Sequence, residues 1–116
     1  MSEFVHVQLA DSPPHDLVPG VSMRPLFGAR GMINLIEFEV GAEVPAHSHP
    51  HEQLGYVVSG VQILIVDGIE HPVRAGEGYV IPGGVEHAAR CGPDGAVAID
   101  VFVPVREDYR ERVEGR

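Results

Sequence analysis

Short apolar runs separated by glycine-bearing turns make up most of this 116-residue chain. MINLIEFEV, residues 32–40, reads as a strand closed by Gly41. LGYVVSG, VQILIVDG, IEHPVRAG, EGYVIPGG and AVAIDVFV follow between residues 54 and 103, each rich in valine, isoleucine or aromatics. Such residues suit a pleated, half-buried surface. Asp67-Gly68, between two of the runs, is the dipeptide of a two-residue hairpin. Several short strands at this spacing predict a β-sandwich or barrel.

The two ends depart from the pattern. SPPHDLVPG, residues 12–20, is too rich in proline for a helix or a central strand, and residues 1–30 are expected to form an arm. At the other end Val105, Tyr109 and Val113 recur at every fourth position, the spacing of one helix face. Pro104 suits a first turn, and Glu107 and Asp108 before Arg110 and Arg112 match the helix dipole. The expectation is a single all-β domain over residues 1–116 with one short C-terminal helix and no repeat or linker.

Composition narrows the partners. Hydrophobic residues at 44% and charged residues at 22% are ordinary for a globular chain. The net charge of −9, with eight arginines and no lysine, repels a phosphate backbone, so nucleic acid is not an expected partner. Without lysine the chain has no Schiff-base chemistry. Cys91 is the only cysteine, which forbids an internal disulfide and fits a reducing compartment. No apolar run nears the roughly 20 residues of a membrane-spanning helix. The opening MSEFVHVQLADSPPHD lacks the basic start and apolar core of a signal peptide, and a cytoplasmic location is expected.

The chemistry gathers in PAHSHPHEQLGYVVSG, residues 45–60. His47, His49 and His51 alternate there, with Gln53 next in step. On a strand, positions i and i+2 share a face, so His47 and His49 are placed to grip one ion through neutral imidazole nitrogens. Surface histidines, or a buried pair satisfied by the backbone, are the plainer explanation of such a pair. Pro50 is expected to break the strand before His51, leaving that residue exposed or supporting the ligands. His6, His15 and His71 have no partner in sequence and read as surface residues. A second segment, GEGYVIPGGVEHAARC, carries Pro82 and Gly84 before His87. A tight turn there returns the chain as a hairpin that sets His87 opposite the first pair.

Together the two segments resemble the two motifs of the cupin family. The first motif runs Gly, five residues, His-x-His, three or four residues, Glu, six residues, Gly. It is met by Gly41, His47, His49, Gln53 in place of the glutamate, and Gly60. The second runs Gly, five residues, Pro-x-Gly, two residues, His, three residues, Asn. Gly76, Pro82, Gly84 and His87 meet it, with Cys91 in place of the asparagine. The match spans residues 41–91. It implies a double-stranded β-helix, or jelly-roll, barrel of six or more antiparallel strands with a metal held inside. Cys91 then reads as a small buried thiol.

The last strand adds a carboxylate. Along residues 96–103 Val97, Ile99, Val101 and Val103 share one face, and Ala96, Ala98, Asp100 and Phe102 share the other. Burying Asp100 there is costly without a partner. It is either an ion-pair partner of Arg90 or Arg106, or an acid or base facing the cavity. Both faces need cover, from the N-terminal arm or from a second subunit. A homodimer, common among cupins, is expected.

The chain is further similar to small single-domain cupins of pectin and alginate breakdown, which convert 4,5-unsaturated monouronates into linear ketonised sugars. That resemblance implies His47, His49, Gln53 and His87 as metal ligands and Asp100, Phe102 and Arg106 as active-site residues. It makes Gln53 regular rather than anomalous, and implies a small anionic substrate. Three imidazoles and an amide accept zinc, nickel, iron, manganese or cobalt. Rival expectations are an iron-dependent dioxygenase, a cyclase or isomerase acting on a small aromatic or polyketide, and a non-catalytic ligand-binding cupin.

Overall fold

A computed structural model describes residues 3–115; residues 1, 2 and 116 lie outside the described residues. In chain order the strands are β1 (His15–Val18), β2 (Val21–Phe27), β3 (Met32–Phe38), β4 (Glu43–His47), β5 (Glu52–Val66), β6 (Ile69–Arg74), β7 (Gly78–Ile81) and β8 (His87–Val103). Helix α1 (Glu107–Glu114) closes the fold. All strand pairs are antiparallel.

The two long strands, β5 and β8, pair with each other and carry the rest. The first half of β5 also holds β7 and its second half β6. Likewise β8 holds β4 near His87 and β3 from Ala96 onward. Pairing slips between Val57 and Ser59 and again between Gly60 and Gln62, and Gly60 and Gly95 both have positive φ. Bulges of this kind bend a strand. The sheet therefore folds on itself into a jelly roll, with β1-β2-β3-β8-β5-β7 in one layer and β4-β8-β5-β6 in the other.

Strand alternation decides what faces inward. Ala96, Ala98, Asp100 and Phe102 of β8 are buried, whereas Val97, Ile99 and Val101 are half-buried and Val103 is exposed. Val57 from β5 and Met23 from β2 are fully buried against them in one core. Burying each such side chain contributes roughly 1.5–3 kcal/mol.

Three sequence expectations need correction. Residues 1–30 are not a plain arm, because β1 and β2 lie within them. Pro25 hides β2 in the sequence; it pairs with Asn34 of β3, beyond the stretch where β1 pairs with β2, so its missing N–H breaks no ladder. The runs either side of Gly60 are one bulged strand rather than two. The helix begins at Glu107, so Pro104 and Val105 precede it. Val105 and Tyr109 are nevertheless buried, and Arg112 Nη1 ties the helix to β1 through the Leu17 carbonyl at 2.8 Å. The Asp67-Gly68 hairpin is present, with positive φ at both residues.

Gly60 gives the clearest test of the bend. A β-carbon there would overlap the Gly95 carbonyl, whereas one at Gly68, also at positive φ, meets nothing. Left-handed backbone alone costs about 1–2 kcal/mol. Gly68→Ala is expected to lose about that much in urea denaturation. Gly60→Ala, with backbone overlap added, is expected to lose at least about 3 kcal/mol.

Candidate metal centre

His47 ends β4 opposite His87, the first residue of β8. His49 lies past the end of β4, so strand alternation does not bring the first pair together as the sequence predicts. The turn between β7 and β8 does so instead. Gly84 N donates to the His49 carbonyl at 2.8 Å, and a β-carbon at Gly83 would overlap the Pro50 carbonyl. The second motif's turn thus packs directly against the loop of the first.

Each of the three histidines is oriented in the same way. His47 Nδ1 lies 2.8 Å from the Pro45 carbonyl, His49 Nδ1 3.0 Å from that of His51, and His87 Nδ1 2.9 Å from that of Val85. A carbonyl only accepts, so each Nδ1 carries the proton and donates. That leaves each Nε2 with a bare lone pair, as metal ligation requires. Burial lowers the His49 pKa to about 4, helped by the Arg106 and His87 charges. Burial lowers that of His87 as well. Near neutral pH both rings are ligand-ready.

These lone pairs crowd together. Candidate ligand atoms of His47, His49 and His87 lie within 4.8 Å of one another. His49 Nε2 and Gln53 Oε1 stand 3.1 Å apart, with no proton left to join them. His87 Nε2 is buried without a partner. Repulsion among acceptors and an orphaned nitrogen are both relieved by one cation, so the residues present fit a divalent metal held by His47, His49, His87 and Gln53.

The other inward residues surround this cluster. Phe102 packs between His49 and Tyr109, at ring separations of 5.6 and 5.7 Å. Arg106 lies with its guanidinium carbon 3.9 Å from the centre of the Tyr109 ring. It grips Asp108 with both Nε and Nη2, at 3.0 and 2.7 Å, while its buried Nη1 has no partner. Asp100 makes no ion pair with Arg90 or Arg106; Arg90 bonds Glu70 instead. The Asp100 partner is Tyr79, whose hydroxyl donates to Oδ1 at 2.5 Å. Burial raises the Asp100 pKa to about 6, with hydrogen bonds from Tyr79 and Gln53 and the Arg106 charge limiting the rise.

His47, Gln53, His87, Asp100, Phe102 and Arg106 share the wall of an inner space of about 40 Å³. That holds an ion or a water-sized group. Beside it, with His47, Arg106 and Tyr109 in both walls, is a cleft of about 270 Å³. His51 takes no place in the cluster and serves His49 through its backbone. His6 and His71 are exposed and His15 half-buried. Cys91 is a buried thiol bonded to the Glu39 carbonyl at 3.2 Å. Tyr79, Tyr109 and Asp108 carry no motif in the sequence, and only the folded register reveals them.

A model of the cupin domain matches residues 34–103. The chain belongs to the cupin family. This cupin is similar in structure to an RmlC-like cupin from Shewanella frigidimarina, at 36% identity and a TM-score of 0.83, covering 93% of this chain and 96% of that one. It is also similar to KdgF from a Halomonas species, at 27% identity and a TM-score of 0.79, covering 86% and 94%. In sequence it is 29% identical to the pectin degradation protein KdgF of Dickeya dadantii over 67% of this cupin and 72% of that protein. It matches dimethylsulfoniopropionate lyase DddW of Ruegeria pomeroyi at 33% identity over 55% of its own length and only 42% of the lyase. Among the described residues no helix is long and apolar enough to cross a membrane.

Removing a donor and removing a bystander are expected to separate cleanly. His87→Ala weakens zinc binding at least about a hundredfold, a larger loss than changes around a metal's ligands usually bring. His51→Ala, which keeps the carbonyl that orients His49, changes it less than about threefold. Competition with a chromophoric chelator reads both.

Proposed function

We propose that this cupin is a metal-dependent enzyme that opens the ring of a small 4,5-unsaturated uronate and converts the enol so formed into a ketone. Arg106 carries this reading: its Nη1 is a buried cationic donor without an acceptor, and the residue lines the inner space with His47 and His87. Such a donor calls for an anion, and a carboxylate is its planar complement. Four neutral donors support the same conclusion, because they leave a divalent ion's charge for an anionic ligand to meet. Similarity to a pectin degradation protein supports the sugar class.

The reaction is an isomerisation. The anomeric hydroxyl loses its proton as the ring carbon–oxygen bond breaks, and the enol takes a proton on carbon. No atom is gained or lost. Asp100 is assigned both transfers, since a pKa raised by burial to about 6 keeps either protonation state accessible near neutrality. Arg106 holds the substrate carboxylate, and Phe102 walls the site. A bound divalent ion supplies Lewis acidity toward a substrate oxygen. The inner space is too small for a sugar, so the ring sits in the adjoining cleft with its reacting end inward. Among the described residues no carboxylate joins the histidine cluster, which disfavours the two-histidine, one-carboxylate pattern of many iron oxygenases.

Loss of the conjugated enol-acid absorbance of an unsaturated galacturonate or guluronate tests this. Metal-loaded protein is expected to outpace the spontaneous rate, while chelated protein and His49→Ala match it. Arg106→Ala should raise KM about tenfold or more, and Asp100→Asn should lower kcat by about 100-fold or more. Coincident curves for loaded, chelated and His49→Ala protein overturn the proposal.

The same proposal gives the outer face of the sheet to a second copy of the chain. Ile33, Val101, Leu54 and Val80 stand in one row across four neighbouring strands, and Leu35, Ile99 and Tyr56 in the next. Ile33, Leu54, Tyr56 and Val80 are exposed and Leu35, Ile99 and Val101 half-buried, and apolar side chains in register over that width exceed what a monomer usually leaves bare. Phe4, Val5 and Val7 add further exposed apolar surface. Sedimentation is expected to give twice the chain mass, and Leu54→Asp with Tyr56→Asp half of that. A wild-type monomer at micromolar concentration contradicts it.

A further inference from the structure

Gln53 raises a problem that histidine does not. An amide presents an oxygen and an NH2 group of nearly equal size, and only the oxygen ligates a metal. Something must tell the two ends apart.

The strand register supplies the answer. Gly55 of β5 stands opposite both Tyr79 of β7 and Asp100 of β8. Gly55 and Gln53 are two residues apart and share the inward face. A β-carbon at Gly55 would overlap the Tyr79 ring, so the ring crosses β5 through the space that glycine leaves open. Its hydroxyl thereby reaches Asp100 Oδ1 at 2.5 Å, with Gln62 Oε1 more distant at 3.3 Å. The Gln53 side chain donates to Asp100 and also to the Tyr79 oxygen. A carboxylate accepts only from the NH2 end. The Gln53 oxygen is then turned the opposite way, where it lies 3.1 Å from His49 Nε2.

We propose that Tyr79, together with Asp100, is a positioning residue that fixes the Gln53 amide with its oxygen toward the metal, and that Gly55 is the clearance that makes this possible. Tyr79 and Asp100 bond each other and both bond Gln53, so the contacts run from this pair through the amide to the metal. Asp100 therefore serves the centre before any substrate arrives. This inference rests on the four-donor metal reading and not on the identity of the substrate.

Cobalt(II) is the probe, because its visible absorption reports the donor set. Wild type is expected to bind one Co2+ per chain. Tyr79→Phe keeps the ring and removes the hydroxyl. It is expected to bind about tenfold more weakly, with its absorption shifted toward that of Gln53→Ala. Gly55→Ala, which displaces the ring, is expected to shift the same way. Adding Tyr79→Phe to Gln53→Ala is expected to cost nothing further, since both act on one donor.

A Tyr79→Phe protein with wild-type affinity and spectrum overturns the inference, as does full additivity with Gln53→Ala. A wild-type protein that takes up no Co2+ overturns the metal centre and this inference together. The cobalt readout does not pass through sugar turnover, so failure of the uronate reading is told apart from failure of this one.

Discussion

Lone pairs packed into a protein interior repel one another unless a cation or a proton lies between them, and this site has removed the protons. Each histidine gives its Nδ1 proton to a backbone carbonyl within two residues, so three bare nitrogens converge. Because those acceptors are backbone, the orientation does not depend on further side chains surviving. A geometry that fits a metal ion is thus built into the loops that carry the histidines.

Everything else in the fold serves to bring those loops together. The bends at Gly60 and Gly95 curl the shared strands, and the loop after β4 meets the turn after β7. The turn at Gly84 then bonds to His49 itself. Around the cluster, Arg106 is paired with Asp108 and keeps Nη1 without a partner, while Asp100 is held by a phenol rather than a cation. A cation locked onto Asp100 would hold it ionised and fixed. A hydroxyl leaves it able to carry a proton.

Much of this was legible along the chain, because metal ligands in a two-hairpin site keep fixed separations. Motif spacing singled out His47, His49 and His87, strand alternation put Asp100 and Phe102 on one face, and only the family resemblance implied roles for Gln53, Asp100, Phe102 and Arg106. Pro25 concealed β2, since an edge position cannot be told from a break without its neighbours. The partner of Asp100 was hidden for a related reason. Tyr79 reaches it only through the pairing of β5 with two strands at once, and Gly55 looks in sequence like any strand glycine. Local patterns record what a segment becomes; they do not record which distant segment lies beside it.

Crystallography tests the metal centre most directly. Crystals soaked in Ni2+ or Zn2+ and measured at the metal's absorption edge locate the ion by anomalous scattering. One ion per chain is expected, bonded to Nε2 of His47, His49 and His87 and to Oε1 of Gln53. An ion held through Nδ1, or a cluster that stays empty while metal binds elsewhere, would contradict it.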